Sequence, residues 1–574
     1  MKVRPRLASE YDVVVLGAGA AGMTAALVAA TEGLSVLLVE RAAQVGGTTS
    51  RSAGTLWIPG NFSMDEAEAR ADVEEARLYL DALVGEHSRA ELREHFLRSG
   101  PAMLRYLQQH SVVSFQACPK HTDYYPDLPG AKPGGRPVEA QVFNGRKLRH
   151  EFGVLRPTLP EFMLFGGMMV SKADVDKLLN FKHSFANQRH AVTLVLRYVA
   201  DRLLGYSRGT RLTMGNALCA RLLRSVLDAG VMLRLRCEVT RIERESGQAY
   251  VLNLHCPEKT HAVRSRRAVV FAGGGFSANS RWRAAHMPSP TPQHTAANES
   301  NNATTMELAL RLGAVLGQPH EHNAWWFPSS VVHRDDGSVG VFPHIIMDRA
   351  KPGLIAVDQN GRRFVNEGIN YHEFSVAQYR HNAVPCWLVC DARFIRRYGL
   401  GAVHPGSRSL ELWVRKHYLK RGATLENLAR QIRVNGAGLR STVESMAQYA
   451  VTGTDLDFGK GADGVSRQNG DPSNLPNPCL GAIDTAPFYA VQVAPADLGT
   501  SLGLIANENA QLLDAGGRPL SGLYACGNDM NSIMGGKYPA PGVTLGPAMT
   551  FGYLASRHIA SNSGRTRVSS WQRR

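Results

Sequence analysis

Gly17, Gly19 and Gly22 follow the apolar run Val13–Leu16 in YDVVVLGAGAAGMTAAL, at the spacing GxGxxG. At that spacing the first glycine permits a tight turn, the second lets backbone approach a pyrophosphate, and the third brings helix against strand. The phosphates then meet a helix N-terminus, where unpaired N–H groups favour negative charge. Glu40 closes the next apolar run, SVLLVE, where it can accept hydrogen bonds from ribose hydroxyls. The chemistry this predicts is dinucleotide binding. A second cluster is GGKYPAPGVTLGP, residues 535–547, whose four glycines and three prolines fit neither a regular strand nor a helix body. It is a stiffened, open loop that presents Tyr538. A third match, GYSRG at 205–209, has the GxSxG spacing of a serine nucleophile, but its setting LRYVADRLLGYSRGTRL reads as helix rather than strand, turn and helix. Serine hydrolysis is therefore set aside.

The bulk properties narrow the classes further. The chain has 574 residues, 44% hydrophobic and 20% charged, which predicts an ordinary globular protein with more than one core. The formal charge of +16 is dispersed: RSRR at 264–267 and the tail GRTRVSSWQRR are the densest runs, and elsewhere basic residues alternate with acidic ones. Nucleic-acid binding is not expected. Eight cysteines, at 118, 219, 237, 256, 386, 390, 479 and 526, show no CxxC and no zinc spacing, which predicts no metal and a reducing compartment. The uncharged run Val13–Ala30 has the length of a membrane span, but its glycines explain it better, and Glu10 and Asp12 before it are wrong for a signal peptide. The expected location is cytoplasmic.

The glycine turn is embedded in a βαβ unit of about thirty residues. Residues 64–110 read as amphipathic helices forming a cover, 121–160 as loop, and 171–229 as helix again. VMLRLRCEVTRIERE and QAYVLNLHC alternate like antiparallel strands, and RAVVFAGGGFSANS is a buried strand ending on glycines. The Pro-, Asn- and Ser-rich stretch HMPSPTPQHTAANESNNAT marks a crossing near residue 286 into a second domain that runs to about 482. GLYACGN and the helix AMTFGYLASRHIA then return to the first. The fold class is α/β: a discontinuous Rossmann-like dinucleotide-binding domain, 1–285 and 483–574, with an inserted α+β catalytic domain, 286–482.

VGGTT and SAG after Glu40, VVFAGGGF at 269–276 and GLYACGN at 522–528 resemble, in order, the FAD-dependent fumarate reductase and 3-ketosteroid dehydrogenase superfamily. The resemblance implies FAD. It carries the cofactor contacts onto Gly17, Gly19, Ala20, Ala21, Gly22, Glu40, Arg41, Gly47, Thr48, Thr49, Ser52, Gly54, Val239, Ala272, Gly273, Gly274, Gly527, Asn528, Thr544 and Leu545. Within the superfamily, GGKYPAPGVTLGPAMTFGY resembles the signature of 3-ketosteroid Δ1-dehydrogenases, which implies that the Tyr538 hydroxyl and the Gly542 N–H hold a steroid 3-keto oxygen. Two fixed donors there would stabilise the charge that builds on oxygen when a neighbouring proton leaves. Ala540 departs from the family's usual glycine. GRRFVNEGINYHEF, residues 361–374, resembles the segment whose arginine protonates substrate in fumarate reductases; Tyr371 stands there instead, and the resemblance makes it the base that takes a proton beside the carbonyl. HTDYYPDLPGAKPGGRP resembles the segment whose tyrosine assists the base, which implies Tyr124, with the adjacent Tyr125 as the alternative. A phenolate at neutral pH costs about 4 kcal/mol from a reference pKa near 10, so an assisting donor or relay is needed. The implied reaction is 1,2-dehydrogenation of a 3-ketosteroid; a Δ4-(5α)-dehydrogenase, a reductase of an unsaturated acid and a non-catalytic flavin carrier are the alternatives. Trp325, Trp326 and Phe327 are candidates for an apolar cleft or for core. The electron acceptor is left open, a quinone being one candidate, and peripheral membrane association is compatible with such a substrate.

Overall fold

The computed structural model describes residues 7–562 except 180, 182–183, 246, 248, 346–347 and 408; the basic tail lies outside the described residues. An eight-stranded sheet is built around the first βαβ unit. Its parallel part runs Met232–Leu235, Val36–Glu40, Glu10–Leu16, Thr260–Phe271 and Pro519–Ala525. Val13, Val14 and Val15 are buried on both faces, as strands of a covered parallel sheet must be. Tyr250–His255 and Glu238–Arg244 continue as an antiparallel meander from the outer half of the long strand Thr260–Phe271. The Ala-rich helix Ala20–Thr31 packs on this sheet against the C-terminal helix Leu545–Ser561. Their approach is close enough that a Cβ on Gly552 would come within 2.8 Å of the Ala21 carbonyl oxygen. The run that matched a membrane span is thus strand, turn and helix, and no helix among the described residues is long and apolar enough to cross a membrane.

The second sheet has six strands, in the order Val339–Pro343, Ala324–His333, Phe488–Thr500, Cys386–Cys390 and Leu354–Val357, with Lys420–Gly422 beside Phe488–Thr500. The expected return to the first domain at 483 is therefore displaced. Phe488–Thr500 pairs with Ala324–Ser329 and with Cys386–Cys390, so the chain leaves this sheet only after Thr500. The composition gave no sign of this because the strand is apolar and would suit either sheet.

Two other expectations are corrected. The stretch read as loop over 121–160 contains Pro137–Ala140, the middle strand of a three-stranded sheet with Thr55–Trp57 and Phe115–Ala117. Cys237 and Cys256 form a disulfide, whereas the cysteine pattern predicts a reducing compartment. They are 19 residues apart in sequence, but they flank the paired ends Glu238 and His255 of a hairpin, which brings their Cα atoms to 4.3 Å. The other cysteines are free and buried. Arg264, Arg266 and Arg267 of the RSRR run pair with Glu10, Asp12 and Glu245, so that run is a neutralised edge.

Candidate active site

The glycine turn joins Glu10–Leu16 to the helix starting at Ala20, and its three glycines do different work. Gly17 has φ +109°, and a Cβ there would lie 2.2 Å from the Ala272 carbonyl oxygen. A Cβ on Gly22 would lie 1.9 Å from the Gly17 oxygen. Gly19 is the exception: an added Cβ meets nothing within 4 Å, and Gly47 opens toward the same space. That free volume at a helix N-terminus fits a pyrophosphate. Ala20 and Ala21 begin the helix, and Thr49 Oγ1 accepts from Ala20 N–H at 3.4 Å.

Glu40 ends its strand with both carboxylate oxygens on backbone, Oε2 accepting from Ala18 N–H and Oε1 from Ala42 N–H. Burial pushes its carboxyl up, against the pull of these donors and of Arg156 and Arg41. Arg41 also faces Glu238, next to Val239, at 3.6 Å. Thr48 Oγ1 accepts from Asn298 N–H and Asn301 Nδ2, Ser52 Oγ accepts from Gly54 N–H, and Gly54 backs directly onto Gly215. Ala272, Gly273 and Gly274 follow the long strand, and Gly527 and Asn528 follow Ala525. Asp529, which sequence reasoning missed, joins these two turns: its oxygens accept from Gly273 N–H at 2.7 Å and Gly275 N–H at 2.8 Å. Thr544 and Leu545 open the C-terminal helix, directly after the Tyr538 loop. The Gly17 turn, Glu40, Ala272–Gly274 and Gly527–Asn528 thus all stand at or just beyond the C-terminal ends of neighbouring parallel strands of the first sheet.

Three tyrosines from three distant segments meet. Tyr371 is the first residue of helix Tyr371–Arg380, whose N-cap Asn370 accepts from Glu373 N–H. Its ring centroid is 5.2 Å from Tyr538 and 5.6 Å from Tyr124, and Tyr124 and Tyr538 stack at 6.0 Å. The three phenols are close enough that each perturbs the ionisation of its neighbours. Burial pushes Tyr538 up to about 12, and it raises Tyr124 and Tyr371 too, the latter further through its two phenol neighbours. Each phenol therefore holds its proton at neutral pH. Tyr125 turns away, its hydroxyl donating to Glu373 Oε1 at 2.6 Å.

The Tyr538 loop is pinned from behind. Pro539 carbonyl oxygen accepts from Tyr124 N–H at 2.8 Å and from the Tyr79 hydroxyl at 2.7 Å. Gly542, at φ +96°, abuts the strand Thr55–Trp57, where a Cβ would sit 2.6 Å from Trp57 N. Its carbonyl accepts from Trp57 N–H and Gly546 N–H, while its own N–H donates to no protein group among the described residues. Trp57 Nε1 in turn donates to Asp123, which Arg136 also holds and which precedes Tyr124. One buried network thus sets Tyr124, Tyr538 and Gly542 relative to one another. Trp325 meets the Tyr538 ring edge-on at 6.5 Å, whereas Trp326 and Phe327 are wholly in the core. His372, pushed down to about 3 by burial and so neutral, stacks on Tyr538 at 5.9 Å. GYSRG follows the end of helix Phe185–Leu203 and opens no strand-to-helix turn.

Residues 12–545 match the family described as FAD binding domain. The 3-oxosteroid 1-dehydrogenase of Mycobacterium tuberculosis is 36% identical, covering 97% of this chain and 99% of its own. The 4-oxocyclohex-2-ene-1-carboxylate 5-dehydrogenase of Sinomonas cyclohexanicum is 34% identical over 96% of this chain and 93% of its own. Among solved structures, the 3-ketosteroid delta1-dehydrogenase of Sterolibacterium denitrificans in complex with 1,4-androstadiene-3,17-dione is similar at a TM-score of 0.90 and 35% identity, covering 97% of this chain and 100% of that one.

Proposed function

Given that the chain belongs to the FAD binding domain family and is an FAD-dependent oxidoreductase, we propose that it oxidises a 3-ketosteroid to its 1,2-ene. The observation that carries this reading is the meeting of Tyr371, Tyr124 and Tyr538 next to a Gly542 N–H with no protein acceptor among the described residues. Tyr538 hydroxyl and Gly542 N–H donate to the 3-keto oxygen, acidifying the adjacent carbon. Tyr371 takes the proton from that carbon, and Tyr124, whose ring meets it edge-on at 5.6 Å, shares the charge and relays the proton. Bound FAD supplies the hydride acceptor for the next carbon. A substrate arginine of the fumarate-reductase kind has no counterpart at position 371, which disfavours a dicarboxylate. The cofactor contacts proposed are Gly19, Gly47 and Glu40 foremost. On this reading Tyr371 comes from the unit that carries the second sheet, and Tyr124, Tyr538 and Gly542 come from segments outside it.

The test is anaerobic mixing of the holoenzyme with a panel of 3-ketosteroids and with 4-oxocyclohexanecarboxylate, watching flavin absorbance. Bleaching by ketosteroids supports the reading. Bleaching by the monocyclic acid alone replaces the substrate class, and no bleaching by any ketone overturns the reading. Tyr538→Phe removes one of two oxyanion donors but keeps the ring, so reduction should slow about a hundredfold or more with FAD retained. Unchanged turnover would return Tyr538 to a packing role.

The same reading includes peripheral membrane contact. Helix Phe185–Leu203 exposes Phe185 (79%), Val192, Leu196 (64%), Val199 and Leu203 (83%), at spacings that put them on one face, with Arg189 also exposed. An apolar face with a basic flank suits an anionic bilayer surface, where a steroid also partitions. Wild type should co-sediment with phosphatidylglycerol-containing vesicles, and Leu196→Glu/Leu203→Glu should not, while retaining turnover in solution. Failure of the wild type to sediment would end this part of the reading.

A further inference from the structure

Arg349 lies between strands Val339–Pro343 and Leu354–Val357 and is 3% exposed. Its guanidinium donates to four carbonyls: His344 through Nε at 2.6 Å, Glu367 through Nη1 at 2.8 Å, and Ile345 and Ile369 through Nη2 at 3.2 Å each. Two acceptors lie in its own loop and two in the segment that runs into Asn370 and Tyr371. The guanidinium also lies over the ring of Phe374, one turn into the Tyr371 helix, at 4.9 Å from its centroid. One side chain therefore fastens both the approach to that helix and its first turn.

All four acceptors are neutral carbonyls, and among the described residues the guanidinium makes no ion pair, the charges of Asp348 and Glu367 acting on it from farther away. Asp348 Oδ1 accepts from the Arg349 backbone N–H at 2.9 Å while its other oxygen meets His344 Nδ1 and Gly401 N–H, and Glu367 binds Arg363 and faces Lys460 at 3.4 Å. Burial draws Arg349 down to about 10, so it remains a cation at neutral pH. Its field reaches Tyr124, Asp348, Glu367 and the Cys386 thiol, and it favours ionisation of Tyr124. The phenols themselves face one another and neutral His372, and Glu373 is taken up by Tyr125.

We propose that Arg349 is a positioning residue for proton abstraction: it fixes the segment that delivers Tyr371 and presents a buried positive charge to the Tyr124–Tyr371 phenol pair. The pair must lose one proton to solvent before it can accept the substrate's, and the charge makes the singly deprotonated pair less costly. This inference rests on the ketosteroid reading.

The experiment is anaerobic single-turnover reduction of Arg349→Gln and Arg349→Lys holoenzymes by a 3-ketosteroid across pH. The rise in rate with pH should move up by about one unit or more in Arg349→Gln, since an opposite charge nearby shifts a pKa by about that much. At neutral pH that is about a tenfold loss, closing as pH increases. An Arg349→Gln profile that superimposes on wild type after scaling overturns the proposal and leaves a packing role. Should Arg349→Gln fail to hold FAD, Arg349→Lys decides: a buried lysine loses its proton at lower pH than arginine, so its profile should fall away while wild type climbs. A Lys profile parallel to wild type overturns the proposal. A wild type that no 3-ketosteroid reduces sinks the ketosteroid reading and this inference together, whereas unmoved variant profiles beside a reducible wild type sink this one alone.

Discussion

Tyr371→Phe should slow flavin reduction by substrate about 10² to 10⁴-fold, the usual worth of a positioned base, while FAD content and steroid binding stay near wild type. The substitution keeps a buried ring that meets Tyr124 and Tyr538 edge-on, and removes only the oxygen that would accept a proton. Burial and the two neighbouring phenols hold the Tyr371 proton well above the ordinary phenol range. The deprotonated form is the active one, and its population grows as pH approaches the raised pKa from below. The wild-type rate should therefore climb from neutral pH into the alkaline range without a plateau, and the small residual rate of the Phe variant should be flat. Stopped-flow reduction under anaerobic conditions reads both. A Phe variant within about threefold of wild type removes Tyr371 as the base, because no general base of ordinary worth is lost so cheaply.

Gly19→Val should give a folded protein that is colourless after purification, and Gly17→Val a protein that folds poorly or not at all. The two glycines are neighbours in one motif, yet their Cβ directions are opposite in consequence. At Gly19, with φ −79°, a side chain is free of strain and enters the open space that also borders Gly47, where FAD phosphates would lie. At Gly17 the backbone is left-handed, and a side chain drives into the Ala272 carbonyl 2.2 Å away, which parts the strands Glu10–Leu16 and Thr260–Phe271. Circular dichroism and thermal melting report the fold, and the flavin spectrum after reconstitution reports the cofactor. A yellow Gly19→Val, or a Gly17→Val as stable as wild type, would contradict this division of labour.

The glycine turn, the placing of Glu40 and the open Tyr538 loop could be read directly because each is local. Turn geometry, strand length and helix start lie within one contiguous βαβ unit or one thirteen-residue loop, where residue type and spacing largely decide conformation. The roles of Tyr371 and Tyr124 were legible only by resemblance. No periodicity or spacing marks a lone tyrosine as a base, and DYY offers two adjacent phenols of equal standing.

What only tertiary structure decided are the long-range pairings. Tyr124 rather than Tyr125 faces Tyr371: its backbone N–H is tied to Pro539, more than four hundred residues away in sequence, while Tyr125 N–H donates to the Tyr79 hydroxyl and its phenol to Glu373. Phe488–Thr500 belongs to the second sheet because its partners offer two apolar edges, a choice its own composition leaves open. Cys237 and Cys256 pair because a hairpin register places them opposite each other, Asp529 gathers N–H groups from a turn some 250 residues earlier, and Arg349 finds carbonyls rather than carboxylates. Sequence determined the dinucleotide turn and the residues available for chemistry, since these depend on local backbone preference. Tertiary structure determined which phenols meet and what charge faces them, since burial and proximity arise only when distant segments pack together.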